Sequence, residues 1–236
     1  MKPDFRFKQF SLTDEHCAMK LTTDAVLLGS LAEPGASAAI LDIGTGCGIL
    51  SLLMAQKSSA LIDAVEIDES AARQASQNFR RSIWNERIQV HHISIQDYAK
   101  KCSKKYDCII CNPPYFQDQL KSPVQTKSAA RHNSSLGFEA LSRCVCQLLS
   151  DNGSLWTIIP ASEKNKFLKI FLNSGLYCKK NADISDKPGT RPHRSIVCTT
   201  RKIPEHIETQ NLIMKNQDGT LSDSFIRLTC DFYPNG

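Results

Sequence analysis

Short apolar runs alternate along the chain with longer stretches in which apolar residues recur every three or four positions. Ala39-Ile40-Leu41-Asp42-Ile43 reads as a buried strand, glycine-rich Gly44-Thr45-Gly46-Cys47-Gly48 as a turn, and Ile49 to Gln56 as a helix. Leu61–Glu66 predicts a second strand, and Asp68–Arg81 carries Ala71, Ala72, Ala75 and Phe79 at helical spacing. Ile88–Ile95 and Tyr106–Cys111 predict a third and a fourth strand. Phe138–Leu149 reads as a helix ended by Asn152-Gly153, Leu155–Ile159 as a fifth strand stopped by Pro160, and Ser162–Asn173 as a further helix. Leu176–Ile184 and Ser195–Thr200 read as the last two core strands, and the tail from Asn211 to Tyr233 adds a short strand and a helix from Ser222. Strand–helix alternation with near-continuous apolar strands predicts an α/β fold with a parallel sheet covered on both faces. No repeat, low-complexity tract or Pro/Gly/Ser linker divides the 236 residues. One domain is therefore expected, with an N-terminal segment over 1–38, a core over 39–202 and a C-terminal extension over 203–236. The polar stretch Gln117–Ser135 follows the fourth strand, and a loop of that length is usually functional or disordered.

Composition narrows the class. At 41% hydrophobic and 22% charged residues the chain has enough apolar area to offset chain entropy, which excludes a disordered protein. The longest uncharged run, Ile43–Gln56, has 14 residues, short of the roughly 18 that a membrane helix needs. The opening Met1-Lys2-Pro3-Asp4-Phe5 lacks the apolar stretch of a signal peptide, so a cytoplasmic location is expected, with no membrane association. Ten scattered cysteines show no paired zinc-ligand spacing, and no metal site is expected. Cys108 and Cys111 read C-x-x-C within an apolar strand, where residues three apart face opposite sides, so they are expected to be inert core thiols. The net charge of +5 is mild, but the segment from Leu176 to Lys202 holds seven Lys/Arg against Asp183 and Asp186, a local surplus of +5 that suits phosphate groups.

Two motifs carry chemistry. The glycine turn joins a strand to a helix, lets the backbone approach a ligand, and offers a helix N-terminus to a negative group. Its G-x-G-x-G spacing differs from the dinucleotide fingerprint G-x-G-x-x-G. Glu66, 22 residues after Gly44, ends the next strand, where a carboxylate accepts both hydrogen bonds of a ribose diol. The second motif, Asn112-Pro113-Pro114-Tyr115, directly follows the fourth strand. Its two prolines remove backbone donors, which leaves carbonyls and the Asn112 side-chain oxygen to accept from one planar NH₂, while Tyr115 supplies a stacking face. His91 and His92 lie in a strand and read as structural.

Together the motifs resemble class I S-adenosylmethionine-dependent methyltransferases acting on planar amino nitrogens. Phe5-Arg6-Phe7-Lys8-Gln9-Phe10, Met19-Lys20-Leu21-Thr22-Thr23-Asp24-Ala25-Val26-Leu27-Leu28-Gly29, Ala130-Arg131-His132 and Asp231-Phe232-Tyr233 narrow this to a resemblance, over essentially the whole chain, to the bacterial tRNA1(Val) adenine-37 N6-methyltransferase family. The resemblance implies a Rossmann-like, seven-stranded, mostly parallel sheet of order 3-2-1-4-5-7-6, with helices on both faces and the last strand antiparallel. It also implies S-adenosyl-L-methionine as cofactor, S-adenosyl-L-homocysteine as product, tRNA as partner, and no metal or obligate protein partner. Carried over by position, Asp42, Gly44, Gly46 and Gly48 surround the methionine moiety, and Glu66 holds the ribose with Ile67 beside it. Asp97 would face the adenine amino group with Tyr98 beside it, though Asp97 also reads as a helix cap. Lys20 and Thr23 would close the cofactor from the N-terminal side.

In the implied reaction the adenine N6 attacks the donor's methyl carbon. Hydrogen bonds from N6–H to Asn112 Oδ1 and the Pro113 carbonyl would localise the nitrogen lone pair and receive its growing positive charge. Pro114 and Tyr115 complete the catalytic tetrapeptide. No strong base is needed before attack, because the proton becomes acidic after transfer. The base must first be unstacked, which costs least in a single-stranded loop such as an anticodon loop. Arg131, His132, Lys187, Arg191 and Arg194 are the candidates for phosphate contacts. The main competitor is methylation of a protein glutamine, whose enzymes carry an N-terminal helical domain for which 44 residues leave little room. Base methylation in rRNA or DNA, and an inactive RNA-binding module, are the remaining alternatives.

Overall fold

A computed structural model describes residues 4–113 and 136–234 of the chain. A two-residue hairpin, β1 (Phe5–Arg6) and β2 (Ser11–Leu12), opens it and is followed by helix α1 (Thr23–Leu31). Strands and helices then alternate through β3 (Ala39–Ile43), α2 (Ile49–Lys57), β4 (Leu61–Glu66), α3 (Glu69–Arg81), β5 (Ile88–His92), α4 (Ile95–Lys101) and β6 (Tyr106–Cys111). After these come α5 (Phe138–Leu148), β7 (Leu149–Pro160), α6 (Lys164–Asn173), β8 (Tyr177–Ser185), β9 (Arg194–Thr200), β10 (Glu208–Ile213) and α7 (Asp223–Thr229).

Strands β3 to β10 form one sheet in the order β10-β8-β9-β7-β6-β3-β4-β5. Numbered from β3, the first seven follow the implied order 3-2-1-4-5-7-6, and the seventh, β9, is antiparallel to both neighbours. The expectation of seven strands is corrected to eight. The short strand expected from Asn211 starts at Glu208 and pairs in parallel with Lys180–Ser185 of β8. Its first four residues are exposed and only Leu212 is buried, so an edge strand held by backbone hydrogen bonds leaves no apolar run to read. The third strand is also shorter than expected. It stops at His92, and Ser94 starts α4 by accepting a hydrogen bond from the Asp97 N–H at 3.1 Å.

The apolar alternation of the strands feeds two cores. On one face Ile40, Cys108, Ile110, Trp156, Ile158 and Ile196 meet α1, α2, α3 and α7. On the other Leu41, Ile43, Ile109, Cys111, Leu155 and Val197 meet α4, α5 and α6. Cys108 and Cys111 thus face opposite sides, as a period of two requires, and burial pushes the Cys108 thiol up to about 12. The hairpin and the chain end close on each other. Lys8 N–H donates to the Phe232 carbonyl at 2.7 Å, and Phe7 stacks on Phe10 and Tyr233 at 4.6 and 5.7 Å.

Candidate active site

Register brings the two motifs together. Ile43 at the end of β3 lies opposite Val65 of β4 on one side and Cys111 of β6 on the other. Gly44, Glu66 and Asn112, each the neighbouring position in its own chain, therefore reach the same carboxyl edge of the sheet, with strands about 4.8 Å apart. Such an edge is where open α/β sheets bind ligands. Gly44 and Thr45 N–H donate to the Val65 carbonyl at 2.9 and 3.1 Å, which anchors the turn to β4.

The turn takes the backbone its glycines allow. Gly44, Gly46 and Gly48 have φ of 71°, 57° and 91°. A Cβ added at Gly44 or Gly46 would meet open space, whereas one at Gly48 would lie 2.4 Å from the Phe79 ring. The first two glycines keep room for a ligand, and the third lets α3 pack against the turn.

Two carboxylates flank it. Asp42 is fully buried; its Oδ2 accepts from Thr45 Oγ1 at 2.6 Å, Ser51 Oγ at 2.7 Å and Ser51 N–H at 3.1 Å. Its Oδ1 is buried and has no hydrogen-bond partner among the described residues. Burial raises its pKa to about 6, against the opposing effect of the bonds from Thr45 and Ser51, and the Glu66 charge adds to the rise. Glu66 accepts from Gly46 N–H at 2.9 Å on Oε2, and from Ile67 and Asp68 N–H at 2.9 Å on Oε1. The carboxylate expected at the ribose position is thus aimed back at the glycine turn. Ile67 beside it is 60% exposed, an apolar side chain left open on the rim.

The remaining candidate residues fall at different places. Asn112 is partly exposed at the end of β6 and Pro113 is buried, while Pro114, Tyr115, Arg131 and His132 lie outside the described residues. Lys20 Nζ donates to the carbonyls of Asp14 at 2.7 Å and Glu15 at 3.1 Å, so it closes the N-terminal segment on itself. Thr23 is the exposed first residue of α1, which Thr22 caps. Asp97 is exposed and held within α4: its Oδ2 accepts from Ser94 Oγ at 2.9 Å and its Oδ1 from Lys100 Nζ at 3.0 Å. The N-cap of α4 is Ser94, so Asp97 sits in the first turn rather than at the cap the sequence allowed, and its bonds from Lys100 and Ser94 lower its pKa. Tyr98 is buried, with its hydroxyl 2.5 Å from that of Tyr106. His91 is structural, 2.7 Å from Asp63, and His92 Nε2 lies 3.1 Å from the Ile67 carbonyl.

The basic segment does not form one patch. Because β8 and β9 are antiparallel and adjacent, Lys179 and Lys202 lie at one end of the sheet and Lys187 and Arg191 at the other, on the rim that holds Asn112. Arg191 is exposed, and Lys187 Nζ reaches the Gln217 carbonyl at 3.3 Å. Arg194 Nε donates to Asp24 at 2.7 Å and ties β9 to α1.

The sequence model of the methyltransferase small domain family matches residues 22–182. A relative from Bacteroides fragilis named tRNA1(Val) (adenine(37)-N6)-methyltransferase is 42% identical over 98% of both chains. The chain belongs to this family of methyltransferases. Further members from Trichodesmium erythraeum and Enterobacter sp. are 38% and 36% identical over 97% of this chain and 97% and 94% of theirs. The fold is shared with the Agrobacterium tumefaciens predicted O-methyltransferase Atu636, at TM-score 0.64 and 19% identity over 89% of this chain and 96% of that one. It is shared likewise with the ribosomal protein L11 methylase of Lactobacillus delbrueckii, at TM-score 0.54 and 18% identity over 80% and 83%.

The methyl donor of this methyltransferase is S-adenosylmethionine, and the site fits it. The unpartnered, buried Asp42 Oδ1 suits an ammonium group, the open side of Gly44 and Gly46 admits a close-lying ligand, and exposed Ile67 suits a flat ring. Among the described residues no group of three or more His, Cys, Asp or Glu is placed to hold a metal, and no helix is long and apolar enough to cross a membrane. Sequence reasoning missed Thr45 and Ser51, which orient Asp42, and Asn78 and Phe79, which grip the turn from α3. Thr45 lies inside the glycine motif and was readable as a local partner of Asp42. The others are set by the packing of helices and left no local signal.

Proposed function

We propose that this methyltransferase methylates N6 of an adenosine in tRNA, at position 37 beside the anticodon of a valine tRNA. The observation that carries this reading is the register that sets Asn112 beside the glycine turn and Glu66 on one edge. The names of relatives aligned over nearly the whole chain support the substrate.

S-Adenosylmethionine, when bound, supplies an electrophilic methyl carbon and leaves as S-adenosylhomocysteine. Asp42 and the glycine turn would hold its amino acid end, and Glu66 and Ile67 its ribose and ring. Asn112 Oδ1 and the Pro113 carbonyl accept from the two N6 hydrogens of the adenine. These bonds localise a lone pair otherwise delocalised into the ring and take up the positive charge that develops on N6. Orientation is the other large contribution, worth up to about 7–11 kcal/mol in favourable systems. Tyr115 supplies the stacking face for the unstacked base. Lys187 and Arg191 lie in the β8–β9 connector, two to three strand steps from β6 and about 10–14 Å along the rim, and contact the phosphates of flanking nucleotides rather than the target base.

Incubation with labelled S-adenosylmethionine and total tRNA from cells lacking the protein, followed by mass spectrometry of digested nucleosides, tests this. The expected result is N6-methyladenosine in a valine tRNA. Label in protein glutamine with none in tRNA overturns the reading. Asn112→Ala should abolish turnover and leave S-adenosylhomocysteine affinity within a few-fold; loss of that affinity would assign Asn112 to the cofactor instead.

A further inference from the structure

Three consecutive residues of the glycine turn are gripped by β4 and α3. Glu66 takes the N–H of Gly46, and Phe79 packs against Gly48. Between them Asn78 Nδ2 donates to the Cys47 carbonyl at 2.7 Å. Asn78 is fully buried, and the same amide holds a second segment. Its Nδ2 donates to the Thr13 carbonyl at 2.8 Å, and its Oδ1 accepts from Thr13 N–H at 3.1 Å. Gln74, one turn earlier on the same face of α3, donates to Thr13 Oγ1 at 2.7 Å.

Thr13 leads directly into a closed N-terminal loop. Buried Asp14 accepts from Leu21 N–H at 2.9 Å, and Lys20 Nζ returns to the Asp14 carbonyl at 2.7 Å. One buried amide therefore joins the N-terminal segment that carries Lys20 to the turn that carries Gly46 and Gly48. The turn needs such a tie. Glycine-rich backbone loses more freedom on ordering than any other, and a ligand that must order it binds more weakly. An apolar side chain of the same size would fill the space on α3 but leave the Cys47 and Thr13 carbonyls and the Thr13 N–H without partners.

We propose that Asn78 is a positioning residue for the cofactor: it fixes the glycine turn and the N-terminal segment as one preformed wall of the S-adenosylmethionine site. The inference rests on the reading that the donor binds at the glycine turn. Wild-type protein and Asn78→Ala are titrated with S-adenosylhomocysteine by calorimetry, with folding checked by circular dichroism. The dissociation constant is expected to rise tenfold or more in Asn78→Ala. In turnover, KM for S-adenosylmethionine should rise while KM for tRNA stays within twofold, a split that a general loss of packing would not give. A folded Asn78→Ala that binds S-adenosylhomocysteine like wild type overturns the inference and leaves the cofactor reading standing. Failure of wild type to bind overturns the cofactor reading itself.

Should Asn78→Ala not fold, hydrogen exchange on the wild-type protein decides. The amides of Thr13 and Leu21 are expected to gain protection on adding S-adenosylhomocysteine together with those of Gly46 to Gly48. Protection confined to the turn, with the Thr13 amide unchanged, overturns the coupling.

Discussion

At Asp42 one carboxylate oxygen takes three hydrogen bonds and the other takes none among the described residues. The residue is also sensitive to pH. Its pKa is raised by burial from 3.8 to about 6, so in the unliganded protein its contribution to stability is fully present below about pH 4 and is lost as pH rises through about 6. Cofactor binding has the opposite sign, because only the ionised carboxylate pairs with an ammonium. The dissociation constant for S-adenosylhomocysteine should rise by about tenfold per pH unit below about 6 and stay flat above 7. Asp42→Asn should bind more weakly at pH 7.5 and lose that pH dependence. Calorimetry at pH 5 to 8 checks both statements, and a wild-type affinity independent of pH would remove Asp42 from the ammonium. Asp97 is bonded within the first turn of α4, and Arg194 pairs with Asp24 across the α1–β9 contact.

At the scale of elements, β4, β5 and β6 are tied by one carboxylate. Asp63 of β4 accepts from His91 of β5 at 2.7 Å, from Lys104 at 2.7 Å and from Tyr106 of β6 at 2.9 Å. Burial alone would raise its pKa, but the three bonds outweigh it and lower it from 3.8 to about 2. The stabilisation is thus present above about pH 4 and lost as pH falls through about 2. Asp63→Asn should cost about 2 kcal/mol at pH 7, or about 4–8 °C in thermal midpoint for a chain of this size, and the deficit should shrink toward pH 2. Thermal denaturation followed by circular dichroism reads this directly. An equal midpoint at pH 7 would mean that the three donors are solvated as well without Asp63.

For the whole molecule, the sheet sorts charge between its two ends. Of the cations between Leu176 and Lys202, Lys180 pairs with Glu33 and Glu208 and Arg194 with Asp24, while Arg201 donates to the Cys146 and Leu149 carbonyls. Lys187 and Arg191 are the cations of this segment that remain for RNA on the Asn112 rim. Replacing both by Ala should weaken tRNA binding and reduce the slope of log affinity against log salt by about 1.5, at roughly 0.7–0.9 per lost phosphate contact. Filter binding at 50 to 300 mM salt measures the slope, and an unchanged one would take this connector off the RNA surface. S-Adenosylhomocysteine affinity should not change, since neither residue approaches the glycine turn.

The pattern along the chain placed β4 and β6 to the residue, because each is a mostly apolar run, interrupted only by acids, flanked by polar chain. The glycine turn, Glu66 and Asn112 were legible for the same local reason: strand, turn and helix start are encoded within a few residues. The short helix α4 and the edge strand β10 were harder to read. The first has only seven residues, with Ile95, Tyr98 and Ala99 as its whole apolar face, and the second rests on backbone pairing with a neighbour distant in sequence. The segment charge was legible as a sum but not as a surface, since the antiparallel pairing of β8 and β9 sends its two ends to opposite sides. Asn78 shows the limit most plainly. Its role depends on Thr13, 65 positions earlier, and Cys47, 31 positions earlier, meeting on one helix face. The sequence by itself determined which local pieces could bind a nucleoside and a planar amine. Only the tertiary structure decided how they are joined, because hydrogen bonds between distant segments follow from packing and leave no periodic trace along the chain.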